Sequence, residues 1–178
     1  MDIMGNKVIL RGIEGQDNEM LLNLIKDLEV AKLTGGYSSP TSYEHQMSWF
    51  RSLPDSSTNI RRIIADREKP KIGLGIIILS NMDLKDKTAE IYIKIMKSVR
   101  NKGYGWDAVN AMVSYAFCEL HLTHIYSNIL EYNIASRRLF EKCGFKQESI
   151  HKSKVYKDGY YPNLYSYEIR NNGVDTTI

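Results

Sequence analysis

The residues best suited to chemistry stand together in Lys97-Ser98-Val99-Arg100-Asn101-Lys102-Gly103-Tyr104-Gly105-Trp106, between a run of alternating character and the most regular helical stripe of the chain. A helix N-terminus leaves about four backbone N–H groups unpaired and carries roughly half a positive charge. Glycines let a ligand approach the main chain closely, and Arg100 and Lys102 add full charges. The combination suits a diphosphate, although glycine spacing alone fits a solvated turn equally well. A rival arrangement lies in the same segment: Gly103 to Ala108 reads G-x-G-x-x-A, and Glu131 ends the next strand where a dinucleotide fold places its ribose acid. Against it, Met96 to Lys102 separates the first glycine from the apolar strand, three antiparallel strands precede the motif, and too little chain follows Glu131 for a second half-sheet.

A second set of chemical groups lies just upstream. In Thr88 to Ile95, the residues Ala89, Ile91, Ile93 and Ile95 alternate with Glu90, Tyr92 and Lys94. The polar set therefore shares one face, which either lines a wet cleft or meets solvent. His121 and His124 read as caps or surface residues. The two cysteines, Cys118 and Cys143, fall in helical patterns with no C-x-x-C and no clustered histidines, which points to reduced core thiols and no metal.

Elements that position these groups follow from periodicity. Val8 to Arg11 is extended, and a helix from about Asn18, capped by Asp17, places Met20, Leu21, Leu24, Ile25 and Leu28 on one face. Thr41-Ser42-Tyr43-Glu44 has the capping-box form and opens a second helix through about Ser52. Ile60 to Ala65, Ile72 to Leu79 and Thr88 to Ile95 read as strands joined by short polar links, hence an antiparallel meander. Val109, Met112, Val113, Ala116, Phe117 and Leu120 mark a helix over 106–120. His124 to Leu130 is the next strand, and Ile134 to Cys143 is a helix that stops at Gly144. Two last strands, about Phe145 to Lys154 and Asn163 to Arg170, flank the turn Lys157-Asp158-Gly159. One domain over 1–170 with a polar tail, 171–178, accounts for the chain.

With 178 residues, 43% hydrophobic and 25% charged, the chain is long enough for one core and unlike a disordered one. The net charge of +3, from 24 basic and 21 acidic residues, marks neither a nucleic-acid binder nor an anionic-membrane binder. Gly73 to Leu79 is the longest apolar or glycine run, well below the ~20 residues of a membrane helix. No apolar region follows Asp2, so a cytoplasmic protein is expected.

Arg100-Asn101-Lys102-Gly103-Tyr104-Gly105 fits Q/R-x-x-G-x-G/A, and in this the chain resembles the Gcn5-related N-acetyltransferases. Ala89-Glu90-Ile91, Asn133-Ile134-Ala135-Ser136, Leu139-Phe140-Glu141-Lys142-Cys143-Gly144-Phe145 and Tyr156-Lys157-Asp158-Gly159-Tyr160-Tyr161-Pro162-Asn163 extend the likeness toward the branch of ribosomal-protein N-terminal (RimJ/RimL-like) and spermidine acetyltransferases.

The resemblance implies an α/β fold with a mixed, mostly antiparallel sheet of about seven strands, helices on both faces and two splayed central strands. It implies acetyl-coenzyme A as co-substrate, its diphosphate at Arg100 to Trp106, its pantetheine arm in the splay against main chain near Ile93 and Ile95, and its far arm at Asn133 and Ser136. Asn133 also reads as a helix N-cap. Asn101 and Trp106 depart from the usual glycine and small or hydroxyl residue. Acetyl transfer needs a neutral amine and benefits from a proton for the leaving thiolate. Glu90 is the expected base. Phe140 stands where many relatives carry the tyrosine donor. Tyr132 is the expected replacement, with Tyr126, Ser136, a water or unassisted departure as alternatives. The acceptor is a protein N-terminal amine, a polyamine or an amino-sugar, met by a monomer or homodimer. Tyr43, His45 and Trp49 line its pocket or pack on the sheet, Glu29 and Glu44 are the acidic residues on its side, and Tyr156, Tyr160, Tyr161, Tyr165 and Tyr167 are packing residues or a substrate wall. A non-catalytic acyl-coenzyme A-binding module is the alternative.

Overall fold

In the computed structural model the described residues are 1–34, 44, 58–154 and 156–171. The expected helix at Thr41 to Ser52, Tyr43, His45 and Trp49, and the tail after Asn171 lie outside them. In chain order the elements are β1 (Ile3–Met4), β2 (Val8–Arg11), α1 (Asn18–Lys26), α2 (Leu28–Leu33), β3 (Ile60–Asp66), β4 (Lys69–Asp83), β5 (Thr88–Ile95), α3 (Tyr104–Cys118), β6 (His124–Leu130), α4 (Ile134–Lys142), β7 (Lys146–Lys152) and β8 (Asn163–Arg170).

Eight strands form one sheet in the order β1-β2-β3-β4-β5-β6-β8-β7, one strand more than expected because Ile3–Met4 is too short to show a period. All pairs are antiparallel except β5 with β6, the pair joined by the α3 crossover. That topology excludes the dinucleotide fold, whose glycine motif opens a parallel sheet. Instead of a ribose contact, Glu131 accepts from the main-chain N and Nδ2 of Asn163 (2.9 and 3.1 Å) and fixes the start of β8.

The larger core lies between the sheet and α3 and α4. Val8, Leu10, Ile64, Ile77, Leu79, Ala89 and Ile91 meet Ala108, Val109, Met112, Ala116 and Phe140 there. A smaller core, built from Met20, Leu21, Leu24, Ile63 and Ile76, seats α1 on the opposite face. Strand alternation separates the two: Ile91 and Ala89 go to the first, so Glu90, Tyr92 and Lys94 turn to the α1/α2 face.

Several local expectations change for stated reasons. The first helix ends at Asp27, whose carboxylate caps α2 by accepting from the main-chain N of Glu29 (2.9 Å) and Val30 (3.2 Å). Leu28 is thereby turned out of the core stripe to 75% exposure. Asp17 does not cap α1 with its side chain. Its carboxylate receives Arg11 through Nη1 and Nη2 (both 2.7 Å) in a buried pair that joins β2 to the start of α1. Cys143 is buried as expected, but Cys118 is exposed. The tyrosines divide: Tyr167 is core, its hydroxyl donating to Glu141 (2.8 Å), whereas Tyr156, Tyr160 and Tyr161 are exposed.

Candidate active site

Two strands that should continue side by side part company. β5 and β6 pair only at Thr88–His124, Ala89–Ile125 and Glu90–Tyr126, after which β5 runs on to Ile95 while β6 stays with β8. Met96 N donates to Leu74 O on β4, and Ile95 O accepts from Arg100 Nε (3.2 Å) on the other side. By the two-residue strand period, the main-chain groups of Ile91, Ile93 and Ile95 therefore face the gap.

At the wide end of the gap stands α3. Its N-cap, Gly103, has φ +86° and Asn101 has φ +61°, left-handed conformations that glycine adopts freely and asparagine tolerates best among the others. Asparagine in place of the usual glycine thus preserves the turn. A Cβ built on Gly105 would lie 3.0 Å from Ile95 Cδ1 and 3.4 Å from Leu139 Cδ2, so the bare glycine keeps the passage open. The helix amides, the N-terminal dipole and Arg100 converge on this point, which fits a diphosphate.

A cleft of about 680 Å³ runs from there into the gap, and Ile93, Ile95, Arg100, Asn101, Gly103, Gly105, Trp106, Asn133 and Ser136 all line it. Lys94, Leu139 and the α2 residues Val30 and Leu33 complete its walls. Lys102 and Tyr104 are not among the lining residues. Lys102 Nζ donates to Ser98 O (3.0 Å), and the Tyr104 hydroxyl donates to Asp66 (2.6 Å), which lowers the Asp66 carboxyl below its ordinary value and raises the phenol.

Asn133 accepts from Ser136 N (3.2 Å) as the α4 N-cap and donates through Nδ2 to Leu33 O (3.0 Å). Its neighbour Tyr132 gives its hydroxyl to Lys32 O (3.1 Å) and does not line the cleft. Lys157 Nζ donates to Ala31 O (2.6 Å). The last carbonyls of α2, which helix geometry leaves unpaired, are all satisfied this way. At the other end of α2, Glu29 bonds Lys97 Nζ and Arg100 Nη1 (both 3.0 Å), and Lys97 foremost holds its carboxyl below the ordinary value. Glu29 therefore faces the cationic loop.

Glu90 lies at the narrow end, the last residue of β5 paired with β6. It is 5% exposed and receives Asn81 Nδ2 on Oε2 (3.0 Å) and Asn128 Nδ2 on Oε1 (2.9 Å). Asn81 reaches it from an irregularity in β4 between Ser80 and Asp83, with φ +50°. Bulges of this kind re-aim a side chain and concentrate near functional sites. Tyr92 also bonds Glu90, and partial burial first, then that bond, push its phenol far above the ordinary 10. Burial raises the Tyr126 hydroxyl as well, followed by the charge of Glu90. Opposite Glu90 in the register, the buried Ser80 hydroxyl has no hydrogen-bond partner. Composition and spacing did not point to Asn81, Asn128 or Ser80. The one available signal was Asn81 in a polar link where the strand pattern lapses. Phe140 is 2% exposed and meets Phe145 edge-on at 4.9 Å, so it belongs to the core.

A crossover helix with a glycine-opened N-terminus stands beside two strands that diverge at a buried carboxylate, an arrangement that fits a nucleotide-linked arm. Residues 7–146 match the acetyltransferase (GNAT) domain, and the chain belongs to that family of acetyl-coenzyme A-dependent enzymes. It is 30% identical over 166 residues to the uncharacterized N-acetyltransferase YoaA of Bacillus subtilis, covering 90% of this chain and 93% of that one. It is 28% identical to the putative ribosomal N-acetyltransferase YdaF of Bacillus subtilis over 171 residues, 91% and 90% of the two chains. Among solved structures, spermidine N-acetyltransferase from Vibrio cholerae in complex with CoA and spermine superposes with a TM-score of 0.83 at 21% identity, covering 92% of this chain and 95% of that one. Among the described residues no helix is long and apolar enough to cross a membrane.

Proposed function

We infer that the chain moves an acetyl group from acetyl-coenzyme A to a primary amine by direct attack within a ternary complex, and that Glu90 takes the proton of that amine. The carrying observation is that β5 and β6 separate immediately after Glu90, so the carboxylate stands at the closed end of the gap, beyond the cleft's inner wall at Ile93 and Lys94. Asn81 and Asn128 fix both of its oxygens, and a base held in one orientation is what proton removal at a chosen nitrogen requires. Arg100, the amides at Gly103 to Trp106, and Asn133 and Ser136 hold the coenzyme in this reading, and the main chain of Ile93 and Ile95 aligns its arm. Coenzyme A supplies the thioester. With Phe140 in the core and Tyr132 directed to Lys32, the phenols beside Glu90 are Tyr126, its partner in the strand register, and Tyr92, which bonds it. The relatives extend the acceptor classes to polyamines and ribosomal-protein amines.

The test is release of free thiol from acetyl-coenzyme A over a panel of α-amino peptides, polyamines and amino-sugars. Glu90→Gln lowers kcat on the accepted amine by about 10²- to 10⁴-fold, the range of general-base catalysis, with coenzyme A affinity unchanged because Glu90 does not line the cleft. An unaltered rate removes Glu90 from the mechanism. Phe140, with no hydroxyl to donate a proton, supports a second reading, a non-catalytic acyl-coenzyme A sensor, which tight binding without turnover on any amine would establish.

A further inference from the structure

The cleft contains an amine of its own. Its walls include Ile93, Lys94 and Ile95 from β5 but no residue further upstream, so its inner end is at Ile93 and Lys94. Lys94 projects from the strand between the two residues whose main-chain groups face the gap, on the α1/α2 side, where Val30 and Leu33 of α2 line the same cleft. The other cations on the cleft, Arg100, Arg138 and Lys142, come from the anion-binding loop and α4. Arg100 is tied to Glu29 and Ile95 O, whereas the Lys94 ammonium has no hydrogen-bond or ion-pair partner among the described residues.

We propose that Lys94 is a self-acetylation site, an internal acceptor that attacks the thioester when no substrate amine occupies the cleft. The inference rests on the coenzyme lying in this cleft. Nζ forms an amide bond to the acetyl carbon, the C–S bond breaks, and the sulfur leaves as coenzyme A thiolate. The proton lost from nitrogen passes to that thiolate, so the products are free coenzyme A and Nε-acetyl-lysine. Desolvation depresses the Lys94 ammonium below the ordinary lysine value, which raises the fraction of neutral, nucleophilic amine. Holding amine and thioester in one cleft gives the step a large effective concentration over collisional acetylation of surface lysines. The product side chain is longer and uncharged, and it fills the inner end of the acceptor passage.

Incubation of the full chain with acetyl-coenzyme A and no amine, followed by intact mass and peptide mapping, tests this. The expected result is one acetyl group on Lys94, formed at a first-order rate that does not change with protein concentration and is slowed by free coenzyme A. Lys94→Arg abolishes the rapid phase, leaving labelling at least about tenfold slower, as expected for loss of the intramolecular advantage. Calorimetric titration with coenzyme A separates the two readings. Binding without modification of Lys94, or labelling spread equally over Lys97, Lys102 and Lys142, overturns the self-acetylation alone, and no binding overturns the cofactor assignment with it.

Discussion

Asp107, in the first turn of α3, is 3% exposed and takes three main-chain N–H groups from the start of the chain. Oδ1 accepts Asn6 N (3.1 Å), and Oδ2 accepts Lys7 N (2.7 Å) and Val8 N (2.9 Å). A hydrogen bond to a charged group contributes about 1.5–3 kcal/mol, and a buried donor left without an acceptor costs about 1–3 kcal/mol. Asp107→Asn can keep its oxygen at the Oδ2 position, retaining Lys7 and Val8 and losing only the longest bond and the charge, a cost of about 2 kcal/mol. Asp107→Ala strands all three. Water can serve the partly exposed amides of Asn6 and Lys7, but Val8 is 0% exposed, so the cost is about 4 kcal/mol. At roughly 2–4 °C per kcal/mol for a domain of this size, Tm falls by about 4–8 °C for the asparagine variant and by about 8–16 °C for alanine. Thermal unfolding followed by circular dichroism near pH 7 reads both. An alanine variant melting within about 2 °C of the parent would refute the claim that this carboxylate fastens β1 and β2 to the helix, given that 2 °C corresponds to roughly 1 kcal/mol or less.

Gly105→Val places a branched residue, larger than the glycine or alanine the motif admits, with its Cβ 3.0 Å from Ile95 Cδ1 across the cleft. It weakens coenzyme A binding about tenfold, a loss of roughly 1.4 kcal/mol; equal affinity by calorimetry counts against the cradle. Lys94→Met stabilises the fold near neutral pH, since desolvation lowers the Lys94 value in the folded state. The unfolded chain then binds more protons, so parental stability rises with pH and the difference in Tm narrows as pH approaches 10.5, the ordinary lysine value; a constant difference from pH 7 upward contradicts it. Alkylation of the native protein near pH 8 gives one adduct, on exposed Cys118, because burial pushes the Cys143 thiol up to about 11. Rapid double labelling by mass would show that α4 opens.

Regular alternation made Thr88–Ile95, His124–Leu130 and Asn163–Arg170 readable to the residue, because each strand has an apolar face fixed by the core. The glycine-opened helix start at Gly103 was equally legible, since its signals are local: glycines and the onset of a helical stripe within ten positions. Elsewhere a short-range cap overrode the periodic signal, as at Asp27, where two hydrogen bonds outweighed the burial of Leu28. The start of α3 at Tyr104 rather than Trp106 has the same origin, in the left-handed turn at Gly103. Partners remote in the chain left no trace. Asn128 meets Glu90 across 38 positions, and Asp107 meets Lys7 across 100. Side-chain direction was also hidden, so Lys102 and Tyr104 share the loop without sharing the cleft.

Short as it is, α2 works as a crossbar. One end is tied to the cationic loop through Glu29, and the other to the β6–α4 junction and the last hairpin through Tyr132, Asn133 and Lys157. Val30 and Leu33 between those ties form part of the trench wall. Width at that wall is therefore a joint property of segments from the beginning, middle and end of the chain, and Lys157 is joined to the cleft through a helix of six residues.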